Sequence, residues 1–179
     1  MKYLLLCIFT IPVFANLMDS DTQSIHNVEE LKIKKRFGIG ISGGGPLSIL
    51  GLEADANLTP DISLSMGLGT GLAYSTFMVK TRFFLPGEWV SPYAAIGIAR
   101  WWTSGTASTD IGPSVLVNKF LDGDRDYTKG FNVWILYPAV GVQFMHMLGF
   151  SFFAEVEYLF RLFNFSSGTY AGLGMHWYF

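Results

Sequence analysis

The sequence predicts an all-β fold: a single eight-stranded, antiparallel, up-and-down β-barrel that crosses a membrane. Three observations predict it. From Phe37 onward, apolar residues recur at every second position in eight segments, each of roughly ten residues, the length a tilted strand needs to cross a bilayer. Charged residues make up only 15% of the chain and apolar residues 50%, against about 25% charged in an ordinary soluble domain. Within the segments, the charges keep to one face of each strand. A helical membrane protein is excluded, because a crossing helix needs roughly 20 apolar residues and the longest apolar run is Tyr3 to Phe14.

That run reads as part of an export signal. Lys2 supplies the positive start, Tyr3 to Phe14 the apolar stretch, and Val13-Phe14-Ala15 a cleavage site after Ala15. The only cysteine, Cys7, lies inside this segment, so the exported chain is expected to carry no thiol chemistry. Residues 16–35 form a polar leader, in which Val28 to Ile33 has the makings of a short helix with Asn27 as its N-cap. The barrel then spans residues 36–179.

The eight strands are expected at Arg36–Gly44, Ile49–Leu58, Ile62–Leu72, Phe77–Leu85, Tyr93–Trp102, Asn132–Met145, Phe150–Phe163 and Thr169–Phe179. Turn chemistry separates them. Examples are Gly43-Gly44-Gly45-Pro46, Thr59-Pro60-Asp61 and Pro86-Gly87-Glu88. Pro138 within the sixth strand lacks a ladder donor, so a bulge or irregular pairing is expected there. An even strand count puts both chain ends on one side. The one long connection, Thr103 to Gly130, then falls on the opposite side.

Side chains alternate across a strand, so the charges select the inner face. Glu53 and Asp55 share a face of the second strand, Lys80 and Arg82 of the fourth, and Glu155, Glu157 and Arg161 of the seventh. Arg100 lies opposite the Tyr93-Ala95-Gly97-Ala99-Trp101 face of the fifth. A base facing lipid at the midplane costs about 2–4 kcal/mol, so all eight are assigned to the lumen as four acids paired with four bases. Two readings of this network are open: a plug that holds the barrel shut, or a selective ion path. Small residues fit a narrow interior: Gly38, Gly40 and Ser42; Ser63, Ser65, Gly67, Gly69 and Gly71; Gly172 and Gly174. Aromatics gather near strand ends, with Trp89, Tyr93, Phe144, Trp177 and Phe179 at one side and Tyr74, Trp101, Trp102, Phe163 and Phe165 at the other. These read as two interfacial girdles.

The chain ends with apolar residues at every second place, Ala171, Leu173, Met175, Trp177 and Phe179. This resembles the terminal strand that the outer-membrane barrel assembly machinery recognises. With eight strands and an export signal, the chain resembles the small bacterial outer-membrane barrels typified by the OmpA transmembrane domain, OmpX and OmpW. The resemblance implies residence in the outer membrane, a periplasmic leader, and contact with outer-membrane lipids and lipopolysaccharide. It does not imply one activity.

Several function classes are disfavoured. A net charge of −2 does not suit nucleic-acid binding. Lipid A deacylases carry a His and a Ser two residues apart on one strand face, and no His-x-Ser occurs at His26, which lies in the leader, or at His146 or His176. No catalytic site and no cofactor are expected. Asp122-Gly123-Asp124-Arg125-Asp126 alternates acids, but Tyr127 and Val133 stand where an EF-hand loop needs glycine and glutamate. No metal site is therefore expected. Val115, Leu116, Val117, Phe120 and Leu121 make the long connection a possible contact surface. The leading expectation is a non-enzymatic barrel with a structural or surface-interaction role. A narrow pore for small or apolar solutes and a lipid-modifying enzyme are the alternatives.

Overall fold

A computed structural model of the protein describes residues 28–71, 74–103, 131–163 and 165–179. Within them, helix α1 (Val28–Lys34) precedes eight strands. These are β1 (Phe37–Gly44), β2 (Leu50–Asn57), β3 (Ile62–Thr70), β4 (Ser75–Phe84), β5 (Val90–Trp102), β6 (Asn132–Met145), β7 (Phe150–Arg161) and β8 (Ser167–Tyr178). Each pairs antiparallel with the next, and β1 pairs with β8, so the sheet closes. The export signal, residues 16–27 and the long connection with Val115, Leu116, Val117, Phe120 and Leu121 lie outside the described residues.

Alternation produces the wall. In β7, Ser151, Phe153, Glu155, Glu157, Leu159 and Arg161 are buried, while Phe152, Ala154, Val156, Tyr158 and Phe160 face outward and are exposed. Register fixes the strand tilt. The row of paired residues from Arg161 runs through Ile135, Ala99, Met78, Gly67, Glu53, Gly40 and His176 to Ser151, returning to β7 ten residues lower. Such a stagger requires strongly tilted strands, by roughly 35–45°. Pro138 makes no bulge. Pairing of β6 with β7 lapses between Leu136↔Phe160 and Ala139↔Glu157 and resumes in the same register. On the β5 side, the ladder runs through Ile96↔Pro138 unbroken. One missing donor interrupts a ladder without shifting it.

Both barrel ends share one mouth, the terminal mouth; the other is the far mouth. The interior between them is filled in three levels. At the far mouth the turn Gly45–Leu47 folds inward, burying Leu47 against Tyr74, Met78, Trp101, Tyr137 and Leu159. The Trp101 indole N–H donates to Pro46 O at 2.7 Å. Glycine is required where Tyr137 crosses the lumen, because a Cβ on Gly97 would overlap the phenol ring. The middle level holds charges. The terminal mouth is closed by α1, whose Val28 and Leu31 are buried with Met145 and Tyr178, with Trp89 alongside.

The leader is therefore not a free tether over its last turns. Seven residues make a marginal helix alone; docking is what holds this one. Val28, Leu31 and Lys32 lie on one face by their three- and four-residue spacing. Lys32 enters the mouth, its Nζ 3.2 Å from the centroid of the Phe84 ring and donating to Pro60 O at 3.2 Å. Burial lowers its pKa from 10.5 to about 8, opposed by Asp55 and reinforced by Arg82, with Asp61 and Glu29 also raising it. Lys35, whose Nζ donates to Leu148 O, is lowered in the same direction by partial burial.

Docked α1 therefore binds fewer protons than released α1. Docking strengthens as pH rises from about 8 to about 10.5 and is flat below that window. Thiol labelling of a Val28→Cys variant, normalised to a free thiol, is expected to slow by up to about a hundredfold across this window. Lys32→Met is expected to flatten most of the dependence, leaving the Lys35 share. A wild-type labelling rate independent of pH would show that Lys32 is not buried on docking.

Candidate functional site: the charged lumen

The mid-lumen level is built from strands whose inner faces meet across a narrow bore. Glu53 and Asp55 project inward from β2, Lys80 and Arg82 from β4, Glu155 and Glu157 from β7, and His176 and Tyr178 from β8; all are buried. Space for them comes from β3, where Ser63, Ser65 and Gly67 line the same level and pair with Arg82, Lys80 and Met78.

Arg82, with 0% exposure, organises this level. One terminal nitrogen lies 3.2 Å from Glu53 Oε2 and the other 3.5 Å from Asp55 Oδ1. Its guanidinium sits 4.6 Å from the Phe153 ring centroid and 5.6 Å from that of Tyr93. Asp55 also accepts from Tyr178 Oη at 2.7 Å and from the Ser63 and Ser65 hydroxyls. Glu53 faces His176 Nε2 at 3.0 Å, and the imidazole stacks on Phe153. Lys80 pairs with Glu155, which accepts from Tyr93 Oη at 2.9 Å through its other oxygen. Buried charges persist only when paired and hydrogen-bonded, and six of the eight assigned residues meet at this level.

Glu157 is among the six but lacks their partners. It is buried, and neither carboxylate oxygen makes a hydrogen bond. It lies against Gly45, where φ is +52° and a Cβ would strike the carboxylate. An adjoining void of about 10 Å³, lined also by Ser42, Glu53, Lys80 and Glu155, has room for about one water. Arg161 shares the lumen face of β7 but stands at the far-mouth level, opposite Ile135.

Arg100 does not face the lumen. The inner face of β5 is Tyr93, Ala95, Gly97, Ala99 and Trp101, and Arg100 points outward. Its Nε donates to Asn132 Oδ1 at 2.9 Å. Assignment by charge alone failed because the lipid-facing cost applies at the midplane and falls to about 0–1 kcal/mol near an interface. Arg100 is two residues from the far end of its strand. The parity of five inner residues, led by the buried Trp101, decides the strand's orientation.

The girdles need the same correction. Tyr74, Tyr93 and Trp101 are buried in the interior, and Trp89 packs beside α1. Outward aromatics remain at both ends, with Phe144, Phe152 and Trp177 toward the terminal mouth and Trp102, Trp134, Tyr158 and Phe160 toward the far one. Residues that the charge pattern missed are neutral donors and one base: Tyr93, Tyr178, Ser63, Ser65 and His176. Their inward parity was readable; their pairing depends on register. Ala171, Leu173, Met175, Trp177 and Phe179 all lie on the outward side of the last strand segment, and Phe179 N donates to Phe37 O at 2.9 Å. His146 sits exposed in the β6–β7 turn, its Nδ1 accepting from Leu148 N at 3.3 Å.

No family model matches the chain. A search of curated proteins by sequence also gives no match. Among solved structures, the chain is similar to the N-terminal β-barrel domain of Pseudomonas aeruginosa OprF, with a TM-score of 0.60, 16% identity, and coverage of 81% of this chain and 98% of that one. The outer membrane protein Ail of Yersinia pestis, in a phospholipid bilayer nanodisc, aligns with a TM-score of 0.44 at 16% identity, covering 81% of this chain and 99% of that one. The likeness to the OprF domain establishes a shared eight-stranded barrel fold.

Proposed function

We propose that the protein is a non-enzymatic bacterial outer-membrane barrel whose lumen is a charge-filled plug, with a structural or surface-contact role. The inverted polarity of the wall supports the membrane placement. Leu52, Leu68, Val140 and Leu173 are 62–69% exposed on the outward face, while the ion pairs lie inside. A soluble protein rarely exposes so large a continuous apolar surface, and a closed antiparallel barrel leaves no unpaired backbone in lipid. The alternating terminal strand and the export signal read from the sequence point to the outer membrane. On this reading the terminal mouth opens to the periplasm and the far mouth to the exterior.

The observation that carries the plug reading is closure at three successive levels. Leu47 and Trp101 fill the far mouth, the Arg82 and Lys80 pairs the middle, and Val28, Leu31 and Lys32 the terminal mouth. An eight-stranded barrel is just wide enough for side chains to fill. A path for solute needs all three levels to move together. The Thr103 to Gly130 connection, on the exterior side, is the contact surface this reading assigns.

In planar bilayers the refolded protein is expected to show no sustained open state. Stable channels of large conductance would refute the plug. The pairing predicts opposite effects for adjacent acids. Glu155→Gln strands Lys80 and is expected to lower stability by ~3–5 kcal/mol, read as a lower temperature for the gel-mobility shift on heating. Glu157→Gln removes a buried carboxylate with no cation bonded to it and is expected to raise that temperature, by ~1 kcal/mol of stability. Equal losses from both would mean that the two acids are equivalent members of one network.

A further inference from the structure

Among the described strands, Arg100 is the one charged side chain on the outward face. Its surroundings hold it in place. The guanidinium centre lies 5.4 Å from the Trp102 ring centroid and 5.6 Å from that of Trp134, and Asn132 takes the Nε proton. Two tryptophans and an amide thus fix a cation that a lipid-facing wall otherwise excludes. The two terminal nitrogens make no hydrogen bond to any described residue. Guanidinium donors in this fork geometry match the oxygens of a phosphate or carboxylate.

The wall beside Arg100 has a matching shape. Arg100 pairs across β4 with Phe77, and the outward row continues through Leu68 and Leu52 to Ile41. The ten-residue stagger makes this row slope away from the far mouth toward the terminal one. An apolar groove of about 720 Å³ follows it, walled by Phe77, Leu68, Leu52 and Ile41, with Gly40 and Gly67 at its floor. Gly40 and Gly67 are lumen-facing positions, so the floor they give the groove is bare backbone. The result is a cation at the interface and an apolar channel descending from it into the hydrocarbon.

We propose that Arg100, Trp102, Trp134 and Asn132 bind the phosphate of a lipid in the leaflet at the far mouth, with an acyl chain in the Phe77–Ile41 groove. The inference rests on the outer-membrane reading above, in which that leaflet is built from phosphorylated glycolipid. Guanidinium and phosphate form charge-assisted bonds at the interface, where aromatic side chains already exclude water. The groove supplies orientation, since a chain lying in it brings its headgroup up to Arg100. This site would fix one lipid on one side of the barrel rather than a uniform annulus around it.

Native mass spectrometry of the refolded full chain in neutral detergent tests this. The probes are bisphosphorylated lipid A, the same lipid with both phosphates removed, and phosphatidylglycerol. Wild-type protein is expected to retain bisphosphorylated lipid A. Arg100→Gln is expected to weaken retention on the order of tenfold, the scale of a hydrogen bond to a charged group. Asn132→Leu is expected to weaken it severalfold by releasing the guanidinium. Lys34→Gln, an equal charge change on α1, is expected to leave it unchanged, and the dephosphorylated lipid is expected not to distinguish wild type from Arg100→Gln. Retention of lipid A unaltered by Arg100→Gln, in protein that inserts and shows the heat-dependent gel shift, would overturn this site alone. Equal, Arg100-dependent retention of phosphatidylglycerol would overturn the assignment to glycolipid. Protein that neither inserts nor shifts would overturn the barrel-in-membrane reading itself.

Discussion

A guanidinium with no access to solvent constrains everything around it. Arg82 stands inside the bore, and its charge persists there only because Glu53 and Asp55 approach from β2, across the small inner residues of β3. Those acids in turn require donors of their own, which Tyr178, Ser65 and His176 supply. The chain of dependence reaches β2, β3, β4, β7 and β8. Each must hold its register, because a slip of one residue would turn its inner set to lipid. The ion pairs are therefore poor evidence of net stability but strong evidence of a specified register. A barrel with the same wall and an apolar filling would be freer to slide.

Closure at the mouths serves the same constraint. Water reaching Arg82 or Lys80 would loosen the pairs by raising the local dielectric. On the plug reading, the inward turn at Pro46 and Leu47 would exclude it from one end and α1 from the other. Lys32 couples the lower seal to the network, since Asp55 and Arg82 both act on its charge. The outer wall is set by the alternate residues of the same strands: Ile41, Leu52, Leu68 and Phe77 wall the groove beside Arg100, and lumen-facing Gly40 and Gly67 give it a backbone floor.

Much of this was legible in the sequence, because a strand has a period of two and a membrane wall tolerates few errors. The eight segments, the inward parity of Glu53, Lys80 and Glu155, and the small residues of β1, β3 and β8 are all local patterns. Arg100 was misread because its strand offers only one charge, and depth in the membrane, which sets its cost, is not a local property. Trp101 and Tyr93 were misread for a related reason. Position near a strand end suggests a girdle, but parity points both into the bore, where a mouth must be filled. The docking of α1 depends on contacts with Met145 and Tyr178, more than a hundred residues away, and Val28 and Leu31 alone do not announce it. Glu157 shows the limit from the other direction. Its parity matches that of Glu155 two residues earlier, yet Lys80 reaches only one of them.

Arg82 also offers the most direct test of the interior as a sealed, paired medium. In the refolded, isotope-labelled protein in micelles, side-chain NMR can follow exchange of its terminal N–H protons with water at neutral pH. A buried guanidinium held by Glu53 and Asp55 predicts observable, slowly exchanging resonances with hindered rotation. Exchange and rotation at the rate of a solvated arginine would contradict a closed, charge-paired lumen.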